Sequence, residues 1–188
     1  MKKYIRIVAG QYRKTRIEVP EATGLRPTPD RIRETLFNWL TFFWQSDFAD
    51  KRVLDLFAGS GALGFEAASR GVAHVQMVES NPTAVSALRK LRDKLGTELV
   101  RIHAGDAREA ISRLAQTQFD LVFLDPPFGQ GWFPKLLTQI YPLLADQGLV
   151  YVEAETIIAA PQGYIALRQS RAGAVHYQLF QRVALQES

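Results

Sequence analysis

Between residues 50 and 154, apolar and amphipathic runs take turns, and that rhythm restricts the fold more than any other feature of the chain. It predicts strands near 52–57, 74–79, 98–103, 119–124 and 148–154, with helices near 61–70, 82–94, 106–115 and 132–144. Five of the six residues from Phe119 to Leu124 are hydrophobic, a pattern that leaves neither strand face to water. Asn81-Pro82 supplies a helix start, with Asn as cap and Pro at the first position. Buried strands separated by helix-length segments argue a parallel sheet covered by helices. The rhythm then breaks. Strand-like runs at 163–171 and 175–183 are separated only by Ala172-Gly173-Ala174. No crossover helix fits there, so these two strands form an antiparallel hairpin at the sheet edge.

The 188 residues suffice for one domain with a core and a small appendage. A hydrophobic content of 47% argues against disorder. With no cysteine there is neither a disulfide framework nor thiolate chemistry. His74, His103 and His176 are scattered, so no metal site is expected. No apolar run reaches the length of a membrane span, and Met1-Lys-Lys-Tyr-Ile-Arg-Ile lacks the apolar core of a signal peptide. The expectation is a cytoplasmic monomer with no membrane contact.

Charge is uneven. Residues 1–34 hold nine Lys/Arg and four acids, a balance of +5, against +4 for the whole chain. A basic arm on a near-neutral body suits a polyanionic partner. Two short strands at 4–8 and 14–19 flank Gly10-Gln11-Tyr12 and carry Arg6, Arg13 and Lys14. An irregular crossing at 20–29 leads to an amphipathic helix over 29–44, where Ile32, Leu36, Trp39, Leu40 and Phe43 recur at helical spacing. Arg26 and Arg31 lie near its beginning as further candidates for phosphate contact. The chain thus divides into a basic extension, 1–49, suited to that polyanion and packed on the core, and a main domain, 50–188.

The chemistry-bearing residues stand at strand ends. Asp55 ends the first core strand, and Gly59, Gly61 and Gly64 open the next helix, allowing a tight turn and close backbone approach to a ligand. Glu79 ends the second strand, where a carboxylate can accept both hydroxyls of a ribose. Such a turn and acid also suit a dinucleotide. Three features favour S-adenosylmethionine instead. Asp55 would repel a pyrophosphate but suits the ammonium of a methionyl tail. Asp106, after the third strand, can accept from an adenine amine or cap the helix it begins. The chain is also short for a dehydrogenase with a separate substrate domain. The fourth strand ends in Asp125-Pro126-Pro127-Phe128: an acid on stiffened backbone beside a ring, suited to holding a flat, nitrogen-bearing group.

On these residues, 50–183 resembles the class I, Rossmann-like methyltransferases that use S-adenosylmethionine. Asp-Pro-Pro-Phe matches the tetrad of those acting on exocyclic amino groups of adenine or guanine. Arg6-Ile-Val-Ala-Gly10 and Leu25-Arg-Pro-Thr-Pro-Asp-Arg-Ile-Arg-Glu-Thr-Leu-Phe-Asn-Trp-Leu40 are similar to segments of the RsmD family, which methylates a guanine N2 in small-subunit (16S) ribosomal RNA. The resemblance implies a seven-stranded, mostly parallel α/β sheet with helices on both faces and an N-terminal hairpin-plus-helix extension. It implies Asp55, Phe57, Gly59, Gly61, Glu79, Asp106 and Ala107 at the cofactor, whose product is S-adenosylhomocysteine. It implies Asp125, Pro126 and Phe128 at the target base, and ribosomal RNA, naked or within a 30S particle, as partner. One departure is Tyr12-Arg13-Lys14-Thr15, which replaces an Arg-Gly-Arg-Lys type of segment and loses its glycine. Two other functions remain open on sequence: adenine-N6 methylation of DNA, and a non-catalytic ribosomal RNA assembly factor of the same fold. The lack of a sizeable target-recognition insertion argues against the first, and the intact set of four acids against the second.

Overall fold

A computed structural model describes residues 3–20, 28–127, 129 and 131–185. Strands β1 (Lys3–Arg6) and β2 (Arg16–Val19) pair antiparallel as a small separate sheet. Helix α1 (Asp30–Phe43) follows. The alternating region gives β3 (Arg52–Asp55), α2 (Ala62–Ser69), β4 (His74–Glu79), α3 (Pro82–Leu95), β5 (Val100–Ala104), α4 (Ala107–Arg113) and β6 (Phe119–Leu124). The chain continues through α5 (Phe133–Ile140), a 3-10 turn at Tyr141–Leu143, β7 (Leu144–Ala154), β8 (Tyr164–Ala172) and β9 (Val175–Arg182). The main sheet has seven strands in the order β5-β4-β3-β6-β7-β9-β8. Strands β3 to β7 run parallel, and β9 is antiparallel to both β7 and β8.

Most elements lie where periodicity puts them. Asn81 caps α3 as expected, its Oδ1 accepting from the backbone N–H groups of Thr83 and Ala84 at 2.9 and 3.1 Å. The last helix departs from expectation. It ends at Ile140, not near 144, because Pro142 has no N–H with which to continue the α ladder. Strand β7 correspondingly begins at Leu144, four residues earlier than its apolar run suggests. It pairs Leu144 with Phe119 before a register shift, and Gln147 at φ 59° marks the irregularity.

Side chains of β6 alternate between two cores. Leu121 and Phe123 pack under α1 and α2, whereas Val122 and Leu124 pack against the layer containing α5. The N-terminal extension belongs to the first core. Ile7, Ile17, Ile32, Leu36, Phe37 and Leu40 are all buried in it. At about 1.5–3 kcal/mol for each fully buried side chain, these six outweigh the surface pair Arg6–Asp30 (3.1 Å), a class worth about 0–1 kcal/mol. The loop between β1 and β2 is also tied to α2. Buried Glu66 accepts from the N–H groups of Val8 (2.7 Å) and Ala9 (3.0 Å), and Gln11 donates to the Ser69 carbonyl at 2.7 Å. Gly10, at φ 81°, sits so close that a Cβ would overlap that carbonyl.

Candidate active site

Strands β3 and β6 are neighbours, yet β4 and β5 extend the sheet on one side of β3 and β7 on the other side of β6. Beyond the carboxyl ends of the strands at this switch point lies a cavity of about 600 Å³, the position where doubly wound sheets bind ligands. Asp55, Gly59, Glu79, Asp106, Asp125 and Pro126 all line it.

One end is built by β3, β4 and the turns that follow. Asp55 is 2% exposed, and its Oδ2 accepts from the Gly64 N–H at 3.1 Å. Burial pushes its carboxyl up to about 7, and neighbouring Glu79 adds to the shift against the opposing hydrogen bond from Gly64. A carboxylate in that state is suited to a cation, which would offset the cost of ionising it. Gly61 begins α2 at φ 81°, where a Cβ would meet Leu88 and Phe65. Glu79 holds the glycine turn from β4: its Oε2 accepts from Gly59 N–H at 2.8 Å and its Oε1 from Asn81 N–H at 2.7 Å. A carboxylate offers about four acceptor sites, so these two bonds leave capacity for hydroxyls. Asp106 caps α4, its Oδ1 accepting from Arg108 N–H at 2.8 Å, while the residue still lines the cavity with Ala107. Phe57 meets Trp132 edge-on at 5.5 Å, and the Arg108 guanidinium lies 4.9 Å from the Trp132 ring centre. Trp132 Nε1 is buried with no hydrogen-bond partner among the described residues.

The other end begins where β6 stops. Asp125 is half-buried and Pro126 buried. Phe128 lies outside the described residues, as does Arg26. A further acid stands here that sequence reasoning missed. Glu153 of β7 is 4% exposed and lines the cavity. Its Oε1 accepts from the hydroxyls of Thr28 (2.9 Å) and Tyr151 (3.0 Å). Its only signal in the sequence is an acid inside an otherwise apolar strand, Leu149-Val-Tyr-Val-Glu153-Ala.

The basic candidates are outside the cavity. Arg13, Lys14 and Arg31 are exposed, with Lys14 at φ 70°. Arg6 bonds Asp30, and so does the fully buried Arg33 at 2.7 Å, so Asp30 is held by these two residues. Asn38 is exposed on α1 and not part of the lining. Among the described residues, no group of three or more His, Asp or Glu is placed to hold a metal ion. No helix among them is long and apolar enough to cross a membrane.

A family model described as Conserved hypothetical protein 95 matches residues 5–181. The Ribosomal RNA small subunit methyltransferase D of Escherichia coli (strain K12) is 41% identical over 195 residues, covering 98% of this chain and 93% of that protein. The protein of the same name from Haemophilus influenzae is 36% identical over 185 residues, covering 94% and 93%. Among solved structures, yhhF from Escherichia coli superposes with a TM-score of 0.85 at 38% identity, covering 97% of this chain and 99% of its own. The strand order, glycine turn and acid-tipped strands define a class I, Rossmann-like methyltransferase fold. Within that class, the chain belongs to the RsmD family of ribosomal RNA methyltransferases.

Proposed function

We propose that this protein transfers a methyl group from S-adenosylmethionine to the exocyclic N2 of a guanine in small-subunit ribosomal RNA. The observation that carries the reading is one cavity lined both by Asp55 and Glu79, at the ends of β3 and β4, and by Asp125 and Pro126, just after β6. Asp55 would take the ammonium of the cofactor's methionyl tail, with Phe57, Gly59 and Gly61 around it. Glu79 would take the ribose hydroxyls, and Asp106 and Ala107 the adenine. The cofactor supplies a methyl already activated on a sulfonium, chemistry that requires neither a metal nor a covalent enzyme intermediate.

The target amine is a poor nucleophile because its lone pair is delocalised into the ring. Asp125 and the Pro126 carbonyl would accept its two N–H bonds, orient the nitrogen and stabilise the charge that grows on it during attack. The aromatic ring of Phe128 would stack on the base. A base in a loop reaches such a pocket at lower cost than one stacked in a duplex. Arg6, Arg13, Lys14, Arg26 and Arg31 would contact RNA phosphate, making residues 1–49 the RNA-contacting extension of the catalytic domain 50–188. The protein would work as a monomer in the cytoplasm.

The test is methyl transfer from labelled cofactor to small-subunit particles and to the same RNA stripped of protein, with nucleoside analysis of the product. The expected product is N2-methylguanosine. Methylation only of adenine, or tight cofactor binding with no transfer to either substrate, would overturn the reading.

A further inference from the structure

Glu153 is a buried carboxylate with no place in the role assignments above, and the sheet register says where it points. In the β6–β7 pairing, Phe123 stands opposite Tyr151 and Leu124 opposite Val152. Asp125 directly follows the last of these pairs on one strand and Glu153 on the other, so the same register carried one residue further sets the two acids side by side. Neighbouring strands lie roughly 4.8 Å apart, and side chains two apart share a face. The Phe123 and Tyr151 rings meet edge-on at 6.1 Å, so that shared face is the one from which Asp125 and Glu153 both project. Both line the same cavity. Two hydroxyls fix the orientation of Glu153, one from Tyr151 on its own strand and one from Thr28 of the N-terminal extension.

A second carboxylate beside the amine-binding acid fits one feature of guanine. Its ring N1 carries a hydrogen and is adjacent, along the same edge, to the carbon bearing N2. Adenine presents an unprotonated N1 at the corresponding place, and a carboxylate repels that lone pair. We propose that Glu153 accepts the N1–H of the target base and so selects guanine among bases that carry an exocyclic amine. This inference rests on the reading of the cavity as a guanine-N2 methylation site. A carboxylate provides about four acceptor sites on two oxygens, so holding Thr28 and reading the base are compatible.

The probe is small-subunit ribosomal RNA ligated to carry 2-aminopurine in place of the guanine that the enzyme methylates. That base keeps the amine but lacks the N1 hydrogen. Single-turnover transfer by the wild-type enzyme should be about ten- to hundredfold slower to it than to guanine, the range for one lost base-edge contact. Glu153→Gln keeps an oxygen for the two hydroxyls and turns an N–H donor toward N1. Its guanine preference should shrink to within roughly threefold or invert, with S-adenosylhomocysteine affinity unchanged. A role confined to holding Thr28 would lower both rates and leave their ratio alone, and that result would overturn the assignment. Should Glu153→Gln not fold, the similarly sized Glu153→Met serves instead: it should slow transfer to guanine selectively, and an equal loss on both bases would overturn the inference. Equal wild-type rates on the two bases would overturn this inference alone. Absence of any wild-type transfer to guanine would remove the proposed function as well.

Discussion

In the proposed reading, Asp125→Ala removes an acceptor for the target amine and none for the cofactor. Single-turnover transfer at saturating cofactor should fall roughly a hundred- to thousandfold, the effect of losing about 3–4 kcal/mol of preorganised electrostatic stabilisation. Affinity for S-adenosylhomocysteine should stay nearly constant. Near-normal transfer by a variant whose circular dichroism shows a native fold would take Asp125 out of the reaction. Glu79→Ala should behave in the opposite way, because Glu79 holds both Gly59 and Asn81: cofactor affinity should drop by tenfold or more, about 1.4 kcal/mol or greater. Titration calorimetry giving unchanged affinity would mean the glycine turn holds its shape without that acid. Asp55, Glu79, Asp106 and Asp125 were legible in the sequence because each ends a strand or closely follows one, near glycine or proline punctuation. Glu153 has no such punctuation, and its closeness to Asp125 arises from pairing between strands that lie apart in the chain.

The β1–β2 hairpin presents Arg13 and Lys14 on a loop fixed to α2 through Glu66 and Ser69. A basic loop held by a rigid element is suited to a phosphate backbone. Charge removal at Arg13 and Lys14 together should weaken RNA binding and leave cofactor binding alone. The slope of log affinity against log salt should shrink by roughly 0.7–0.9 for each lost contact. Adding a change at Arg6 should contribute less, because its guanidinium already bonds Asp30. An unchanged slope in the double variant would make the hairpin a structural element only. The elements themselves were readable because their periodicity matches their burial, as in α1, whose predicted stripe includes the buried Ile32, Leu36 and Leu40. The boundary between α5 and β7 was not. Apolar residues run through both sides of it, and the early start of β7 depends on a register with Phe119 that no local pattern encodes.

At the scale of the whole molecule, the sheet core and the site pull against each other at Asp55. Burial raises this carboxyl from 3.8 to about 7, so between those values the folded chain binds a proton that the unfolded chain releases. Stability contributed by the neutral form is complete below pH 4 and is lost as pH rises toward 7. A shift of about three units corresponds to about 4 kcal/mol, a large share of the 5–15 kcal/mol that typically holds a domain folded. Asp55→Asn keeps an acceptor for Gly64 and has no charge to bury. Without cofactor it should therefore be the more stable chain at pH 8, by up to about 4 kcal/mol, with the advantage shrinking toward pH 4. His74, whose pKa burial and the nearby Arg52 and Arg101 lower, costs stability as pH falls through its range. It does so in both chains, so the difference between them isolates Asp55. Ligand should narrow that gap. S-adenosylhomocysteine at a hundred times its Kd should stabilise the wild type by about 2.7 kcal/mol, and the same concentration should do little for the variant, which lacks the anion for the ligand's ammonium. Wild-type binding near pH 6.5 should also release a proton, seen as a calorimetric heat that varies with the buffer's ionisation enthalpy. Parallel stability profiles for the two chains from pH 4 to pH 8, with equal stabilisation by ligand, would show that Asp55 neither bears this cost nor meets the cofactor.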